Sequence, residues 1–189
     1  MRDADVRRAV MKRLSRDHRG DSDTRIVQEM NLWAGTVRID IAVINGKLSG
    51  YELKSERDTL ARLPLQADIY SRIFDQVTLV VGERHIADAN DHIPNWWGLM
   101  QAKMIGTEVE LSLLRSAQIN PNPDPYLVAE LLRKDEAISI LAEYSLAKGL
   151  RSKRVKEIYR CLAAQLPFSE LSDKVRLALK SRQNWLLRQ

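Results

Sequence analysis

Residues 37–58 read VRIDIAVINGKLSGYELKSERD, and this stretch decides both the fold and the chemistry of the chain. Apolar residues recur on either side of Asn45-Gly46, and an Asn-Gly pair between two such runs is the strongest short-range signal for a β-hairpin. The pattern therefore predicts one strand over residues 36–44 and a second strand over residues 48–55.

The side chains of the two arms divide between two faces, because successive residues of a strand point to opposite sides of a sheet. Alternate apolar residues are predicted to face the core, and they are Ile39, Ile41, Val43, Tyr51 and Leu53. Asp40, Glu52 and Lys54 then lie together on the opposite face.

The length of the turn decides whether Asp40, Glu52 and Lys54 lie on the same face of the hairpin. A two-residue turn would pair Asp40 with Tyr51 and would turn the polar residues of the second arm toward the wrong side. A three-residue turn over residues 45–47, or a bulge near Gly46 or Gly50, corrects the pairing. The sequence therefore predicts one of these irregularities.

Asp40, Glu52 and Lys54 have the side chains that metal-assisted hydrolysis of a phosphodiester requires. Carboxylates are hard oxygen ligands for Mg²⁺ or Mn²⁺, and such an ion neutralises phosphate charge and lowers the pKa of a bound water. Lys54 is suited to orient or deprotonate that water, or to stabilise negative charge in the transition state. The alternative is that these are ordinary polar residues on an exposed sheet face.

Asp40, followed by Glu52-Leu53-Lys54 on the next strand, resembles the signature of the PD-(D/E)XK nuclease superfamily. Residues 38–83 as a whole are similar to a small bacterial and phage-associated branch of that superfamily. The resemblance implies a restriction-endonuclease-like α/β fold, with a mixed β-sheet flanked by helices in the order helix, three strands, helix, strand. Ile39 departs from the signature, which has Pro before the Asp.

The resemblance also implies further site residues. Glu29 is the candidate for an upstream acidic metal ligand or for a support of the other ligands, although it is equally consistent with a solvent-facing strand residue. Gln66 and Tyr70 are four residues apart and so share one helix face, and their spacing resembles a motif beside the active site of exonuclease-like members. The alternative for this pair is core packing.

The remaining elements follow from periodicity, capping and turn residues. Helices are predicted over residues 2–16, from Asp58 as the cap to residue 74, and over 83–91, 126–147, 153–166 and 169–183. Strands are predicted over residues 25–32 and 77–81, with a second hairpin over 98–103 and 108–114. The apolar run VTLVV (residues 77–81) is typical of a strand covered on both faces.

Charge and proline content divide the chain into three predicted parts. They are a nuclease-like core (residues 1–118), a Pro-rich connector (119–125) and a basic all-helical C-terminal extension (126–189). The first 120 residues carry 17 basic and 17 acidic side chains, whereas the rest carry 13 and 8. This asymmetry favours contact with a polyanion, and a solvated helical surface is the alternative. The residues predicted to contact nucleic-acid phosphates are Lys148, Arg151, Lys153, Arg154, Lys156 and Arg160.

The single cysteine, Cys161, excludes an internal disulfide and favours the reducing cytoplasm. No apolar run has the length of a membrane span or of a signal peptide. We therefore expect a cytoplasmic Mg²⁺- or Mn²⁺-dependent nuclease that acts on nucleic acid, with DNA as the substrate. In this scheme Lys54→Ala abolishes cleavage and leaves folding and DNA binding nearly intact.

Three alternatives remain open at this stage. The same fold is compatible with a catalytically silent module that binds nucleic acid or protein. An enzyme that needs a partner protein would look inert when isolated. Homodimers also occur among nucleases of this kind, because two copies can cut two strands.

Overall fold

The six-stranded mixed β-sheet is the centre of the fold in this computed structural model, which describes residues 1–183. The strands lie in the sheet in chain order, and they are β1 (Arg25–Leu32), β2 (Val37–Ile44), β3 (Leu48–Lys54), β4 (Gln76–Gly82), β5 (Gly98–Ile105) and β6 (Glu108–Arg115). The strand pairs β3–β4 and β4–β5 are parallel, and the other pairs are antiparallel. The end of the predicted extension, residues 184–189, lies outside the described residues.

Helices cover both faces of the sheet. They are α1 (Asp3–Asp17), α2 (Leu63–Ile73), α3 (Ile86–His92), α4 (Pro125–Ala129), α5 (Lys134–Glu143), α6 (Val155–Gln165) and α7 (Phe168–Ser181), with a short 3-10 helix before α3 (Glu83–His85). The predicted order of one helix, three strands, a helix and a strand is confirmed. No helix within residues 1–183 is long and apolar enough to cross a membrane.

The first face of the sheet is covered by α1. Its buried residues Val6, Val10 and Leu14 are spaced four apart and form one stripe along the helix. This stripe packs into a hydrophobic cluster whose members on the sheet are Ile41, Val43, Leu53, Val80, Met100 and Ala102. Burial of this stripe therefore fixes α1 beside the central strands.

The opposite face is covered by α2 together with the helices that follow the Pro-rich connector. Buried residues of α2, α4, α5, α6 and α7 belong to one hydrophobic cluster, which also contains Leu79 and Val81 of β4. Val80 of the same strand belongs to the cluster under α1. The prediction that β4 is covered on both faces is thus confirmed.

Polar contacts also join α7 to the sheet side of the molecule. Arg176 pairs with Asp75 at 3.0 Å, and Lys180 pairs with Asp23 at 2.5 Å. Arg25 of β1 donates a hydrogen bond to the main-chain oxygen of Lys180. The last described helix is therefore held to β1, to the loop before β1 and to the loop before β4.

The predicted single helix over residues 126–147 is wrong. The structure has two helices there, α4 and α5, because Glu136 accepts a hydrogen bond from the main-chain N–H of Arg133 and so makes a new helix start. The prediction of Asp58 as the cap of α2 is also wrong. That helix starts at Leu63, while the Asp58 carboxylate accepts hydrogen bonds from the main chain and hydroxyl of Ser55.

The turn between β2 and β3 has three residues, as predicted. Ile44 pairs with Leu48, which leaves residues 45–47 as the loop. The Asn45 side chain accepts a hydrogen bond from the main-chain N–H of Lys47 at 3.0 Å, which closes the loop. Ile41 then pairs with Tyr51. This register turns the side chains of Glu52 and Lys54 toward α2.

Candidate active site

Glu52 is the centre of a buried polar network between β3 and α2, with only 2% of its surface exposed. Its Oε1 accepts hydrogen bonds from Lys54 Nζ and Gln66 Nε2, each at 2.6 Å. Its Oε2 accepts a hydrogen bond from the Tyr70 hydroxyl at 2.9 Å. The structure thus brings together four of the residues that the sequence singled out.

Lys54 is almost as deeply buried as its partner. Its Nζ donates to Glu52 Oε1 and, at 3.0 Å, to Gln66 Oε1. The Gln66 amide therefore bridges the ammonium and the carboxylate, and this bridge requires one orientation of the amide. Two of the three Lys54 N–H bonds have partners among the described residues, which leaves the third for a water or a phosphate oxygen.

Tyr70 has both of the roles that the sequence left open. The residue is fully buried, and its ring stacks on Trp97 with a centroid separation of 6.2 Å. Its hydroxyl lies 2.8 Å from the main-chain oxygen of Arg38 and 2.9 Å from Glu52 Oε2, so the single hydroxyl proton is shared between two acceptors. Burial, and then the charge of Glu52, raise the pKa of Tyr70, so the hydroxyl stays a hydrogen-bond donor.

Burial also raises the pKa of Glu52, and the nearby charge of Asp40 raises it further. The attraction of Lys54 and the hydrogen bonds from Lys54 and Tyr70 oppose the rise but do not cancel it. Glu52 therefore takes up a proton at a higher pH than an exposed glutamate does. A metal ligand must be deprotonated. Protons would therefore compete with a metal for Glu52 at a higher pH than they would for an exposed glutamate.

Asp40 lies just beyond the last paired residues of β2 and β3, Ile41 and Tyr51. Its Oδ2 accepts a hydrogen bond from the main-chain N–H of Leu53 at 2.8 Å. Its Oδ1 accepts one from Arg7 Nη2 at 2.7 Å. The carboxylate therefore bonds to the main chain of β3 and to Arg7 of α1. Its contacts thus differ from those of Glu52 and Lys54, which bond to α2.

The predicted alternation of β2 is wrong at Ile39. Ile39 belongs to the hydrophobic cluster under α2, whereas Ile41 and Val43 belong to the cluster under α1. The change occurs at Asp40. Its opposite residue in β1 is Glu29, which has a left-handed backbone with a φ of 56° and takes no part in the paired ladder. A left-handed residue interrupts strand geometry, and the alternation of both strands changes there.

Glu29 lies at the rim of this site on β1. Its half-exposed carboxylate pairs with Arg38 Nη1 at 3.2 Å and lies 4.0 Å from Arg7 Nη2. Arg7 thus lies between Glu29 and Asp40, and sequence reasoning missed it. The only signal in the sequence was a four-residue spacing from Asp3, which indicates a helical ion pair but not a contact with a strand 33 residues away.

The predicted basic cluster lies apart from this network. All six residues are exposed, on the loop before α6 and on α6 itself: Lys148, Arg151, Lys153, Arg154, Lys156 and Arg160. Lys134 joins the cluster, because its Nζ donates to the main-chain oxygens of two members of that loop. Helix α6 packs on α4, and α4 packs on α2. Contacts therefore link the helix that carries part of the cluster to α2 by way of α4.

The oxygen atoms of Asp40 and Glu52 are the donors available for a metal ion. Within residues 1–183, no three His, Cys, Asp or Glu side chains form a group that could hold a metal. Mg²⁺ is nevertheless usually bound by only one or two protein carboxylates and keeps several of its waters. Each carboxylate oxygen accepts at two positions, so both oxygens of Asp40 and Oε2 of Glu52 keep one. In ligand type and in free acceptor positions, the two carboxylates therefore suit a hard divalent ion.

Comparisons with known proteins give three similar proteins and one matching family model. Protein cII of Enterobacteria phage P4 is 23% identical over 161 residues, which is 85% of this chain and 60% of the phage protein; the chain thus spans 60% of that relative's length. An SPO1766 protein of unknown function from Silicibacter pomeroyi matches with a TM-score of 0.47 at 19% identity, over 82% of this chain and 96% of its own. Pyrococcus furiosus SfsA, solved in complex with Ca²⁺, matches with a TM-score of 0.30 at 12% identity, over 61% of each chain. The family model for bacteriophage P4 protein cII matches residues 1–187, and the chain belongs to that family.

Proposed function

We propose that this protein is a metal-dependent nuclease with a restriction-endonuclease-like fold of the PD-(D/E)XK type, which hydrolyses phosphodiester bonds of nucleic acid, with DNA as the substrate. One observation carries the proposal. Asp40 and Glu52 occupy successive antiparallel strands at the point where their pairing ends, and Lys54 is bonded to Glu52 at 2.6 Å. Two carboxylates and an amine are thereby held in one small region.

In this proposal Asp40 and Glu52 hold Mg²⁺ or Mn²⁺, with Glu29 as an outer support. The bound ion would neutralise phosphate charge and lower the pKa of a water. Neither carboxylate depends on a flexible loop, because both belong to strands of the central sheet. Such placement on rigid elements gives a ligand pair a fixed separation.

Lys54 acts on the attacking water in this proposal. Glu52 and Gln66 fix its Nζ with two hydrogen bonds, so the third N–H bond has a defined direction. An ammonium held in advance needs little reorganisation when negative charge develops, and this is the main source of electrostatic catalysis. Gln66 and Tyr70 position the group that reacts and need not touch the substrate.

A catalytically silent binding module is the second candidate. It is favoured by the fact that Asp40 and Glu52 already have protein donors on all four oxygens. In such a module Arg7 and Lys54 would permanently compensate the two carboxylates. The fold would then bind nucleic acid or a protein partner without cutting.

A cleavage assay separates the two candidates. Purified protein is incubated with duplex DNA, single-stranded DNA and RNA, each with Mg²⁺, with Mn²⁺ and with EDTA. We expect cleavage with either metal and none with EDTA. Binding without cleavage in Mn²⁺ would contradict the nuclease and support the silent module. Inactivity without binding would point to a missing partner protein, which co-purification would identify.

The exposed basic cluster is predicted to bind the nucleic-acid backbone. Replacing Arg151, Lys153, Lys156 and Arg160 together by Gln should weaken DNA binding uniformly across sequences. Each phosphate contact contributes about 0.9 to the slope of log affinity against log salt for duplex DNA, so the slope should fall by up to about 4. Fluorescence anisotropy over a range of salt concentrations measures both quantities.

The matched control removes the same charge elsewhere on the surface. Its four exposed positions are Lys12, Arg16, Arg19 and Lys103. We expect this control to lower affinity less and to change the slope less than the cluster variant. Equal effects would show that only net charge matters, and the cluster would then be a solvated surface.

A further inference from the structure

Arg7 of α1 is bound more closely to Asp40 than to any other carboxylate near it. Its Nη2 donates to Asp40 Oδ1 at 2.7 Å and its Nη1 donates to the main-chain oxygen of Asp40 at 3.1 Å. Its Nε and Nη2 reach Asp3 Oδ2, each at 3.3 Å. Only 19% of the Arg7 side chain is exposed. The guanidinium therefore lies on a carboxylate that the proposed nuclease needs for its metal.

We propose that Arg7 is an internal counter-cation that competes with the divalent metal for Asp40. This inference rests on the proposed metal site and concerns its regulation. Without metal, Arg7 neutralises Asp40 and holds its carboxylate against β3. When metal binds, Arg7 releases Oδ1.

The competition follows from charge and from space. A divalent ion on Asp40 would lie beside the fixed positive charge of Arg7, and like charges at contact distance repel strongly where water is partly excluded. Arg7 is also partly buried, so solvent screens this repulsion only in part. An ion can therefore use Asp40 Oδ1 fully only after the guanidinium has moved.

Alternative partners for Arg7 are already within reach. Asp3 binds it from one turn earlier on α1, and Glu29 Oε1 lies 4.0 Å from Nη2. A small rotation of the side chain would exchange Asp40 for Glu29 while the contact with Asp3 persists. The helix need not unfold for the switch to occur. We expect Arg7 to exchange Asp40 for Glu29 as its partner when metal binds.

Competition of this kind lowers the apparent affinity for metal. Coupling between two distinct binding sites typically changes an affinity about 5- to 150-fold, and we take the lower end of that range as a guide. Arg7→Gln removes the charge and keeps a polar side chain, so it should bind Mn²⁺ about fivefold more tightly or better. The same substitution in an Asp40→Asn background should change nothing, because the shared carboxylate is gone.

Isothermal titration with Mn²⁺ tests the proposal on the wild type, Arg7→Gln and the control Arg8→Gln. Arg8 has the same charge on the same helix, but its side chain is 74% exposed and pairs with Asp5. We expect tighter binding for Arg7→Gln and wild-type binding for Arg8→Gln. Equal affinity of all three would overturn the competition and leave the nuclease proposal standing. No Mn²⁺ binding by any of them would overturn both proposals.

A second measurement follows Arg7 in the wild-type protein itself. The Nε–H resonance of Arg7 in the wild type, assigned by its absence in Arg7→Lys, reports the guanidinium directly. Addition of saturating Mg²⁺ should shift this resonance, whereas the Arg8 resonance should stay in place. An Arg7 resonance that does not move while Mg²⁺ binds would show that the guanidinium keeps its place, and the proposal would fail.

Discussion

Replacement of Lys54 by Met should abolish cleavage and destabilise the folded protein in one step. Cleavage should fall by about 100- to 1000-fold, the loss expected when one prearranged electrostatic donor is removed. The free energy of unfolding should fall by about 3–5 kcal/mol, because the substitution leaves the buried Glu52 carboxylate without its counter-charge. Single-turnover cleavage and urea unfolding measure the two losses. For the same reason we expect Lys54→Ala to destabilise the fold.

The double variant Glu52→Gln/Lys54→Met separates the two effects. It removes both buried charges, and a buried pair replaced as a whole costs much less than a broken one. We expect it to recover much of the stability and none of the activity. A single Lys54→Met variant that cleaves at the wild-type rate would remove Lys54 from the mechanism. A variant of unchanged stability would show that Glu52 is not charged when buried.

Asp40→Asn should strongly weaken metal binding while leaving most of the fold in place. Its amide oxygen can still accept the hydrogen bond from the main-chain N–H of Leu53. Loss of a residue that only supports a metal ligand typically lowers metal affinity by about 10- to 100-fold. Because Asp40 is proposed to be a ligand itself, its loss should reduce Mn²⁺ affinity by about 100-fold or more. Calorimetric titration with Mn²⁺ measures this loss, and cleavage should disappear with it.

Glu29→Gln is the matched control for this experiment. It removes the same charge from the neighbouring strand, but its side chain is 49% exposed and its ion pair with Arg38 lies at the surface. Exposed pairs contribute about 0–1 kcal/mol, so stability should hardly change. The metal affinity should fall less than in Asp40→Asn. If the order were reversed, Glu29 would be the principal ligand and Asp40 the support.

The sequence predicted the hairpin of β2 and β3 well because its signals are local. The Asn-Gly pair marks the turn, and alternation on β3 separates Tyr51 and Leu53 from Glu52 and Lys54. The same argument failed on β2. Ile39 lies on the other side from Ile41, because Glu29 on the neighbouring strand adopts a left-handed conformation that no propensity rule assigns to glutamate.

The contact of α1 with the site was not predictable from one sequence. Arg7 meets Asp40 because a stripe of Val6, Val10 and Leu14 packs α1 across the central strands. The break between α4 and α5 was missed for a related reason. Helical periodicity continues through it, and only a side chain on α5 that bonds back to the main chain shows where the second helix starts.

The turn at residues 45–47 limits which insertions and deletions the hairpin can accept. Its odd length sets the side of the sheet on which the following strand presents its acid and its amine. Gain or loss of a single codon there would exchange the two sides, so that Leu53 would meet α2 and Glu52 would meet the apolar stripe of α1. Viable indels at this hairpin should therefore come in pairs of codons, or be accompanied by a bulge that restores the count.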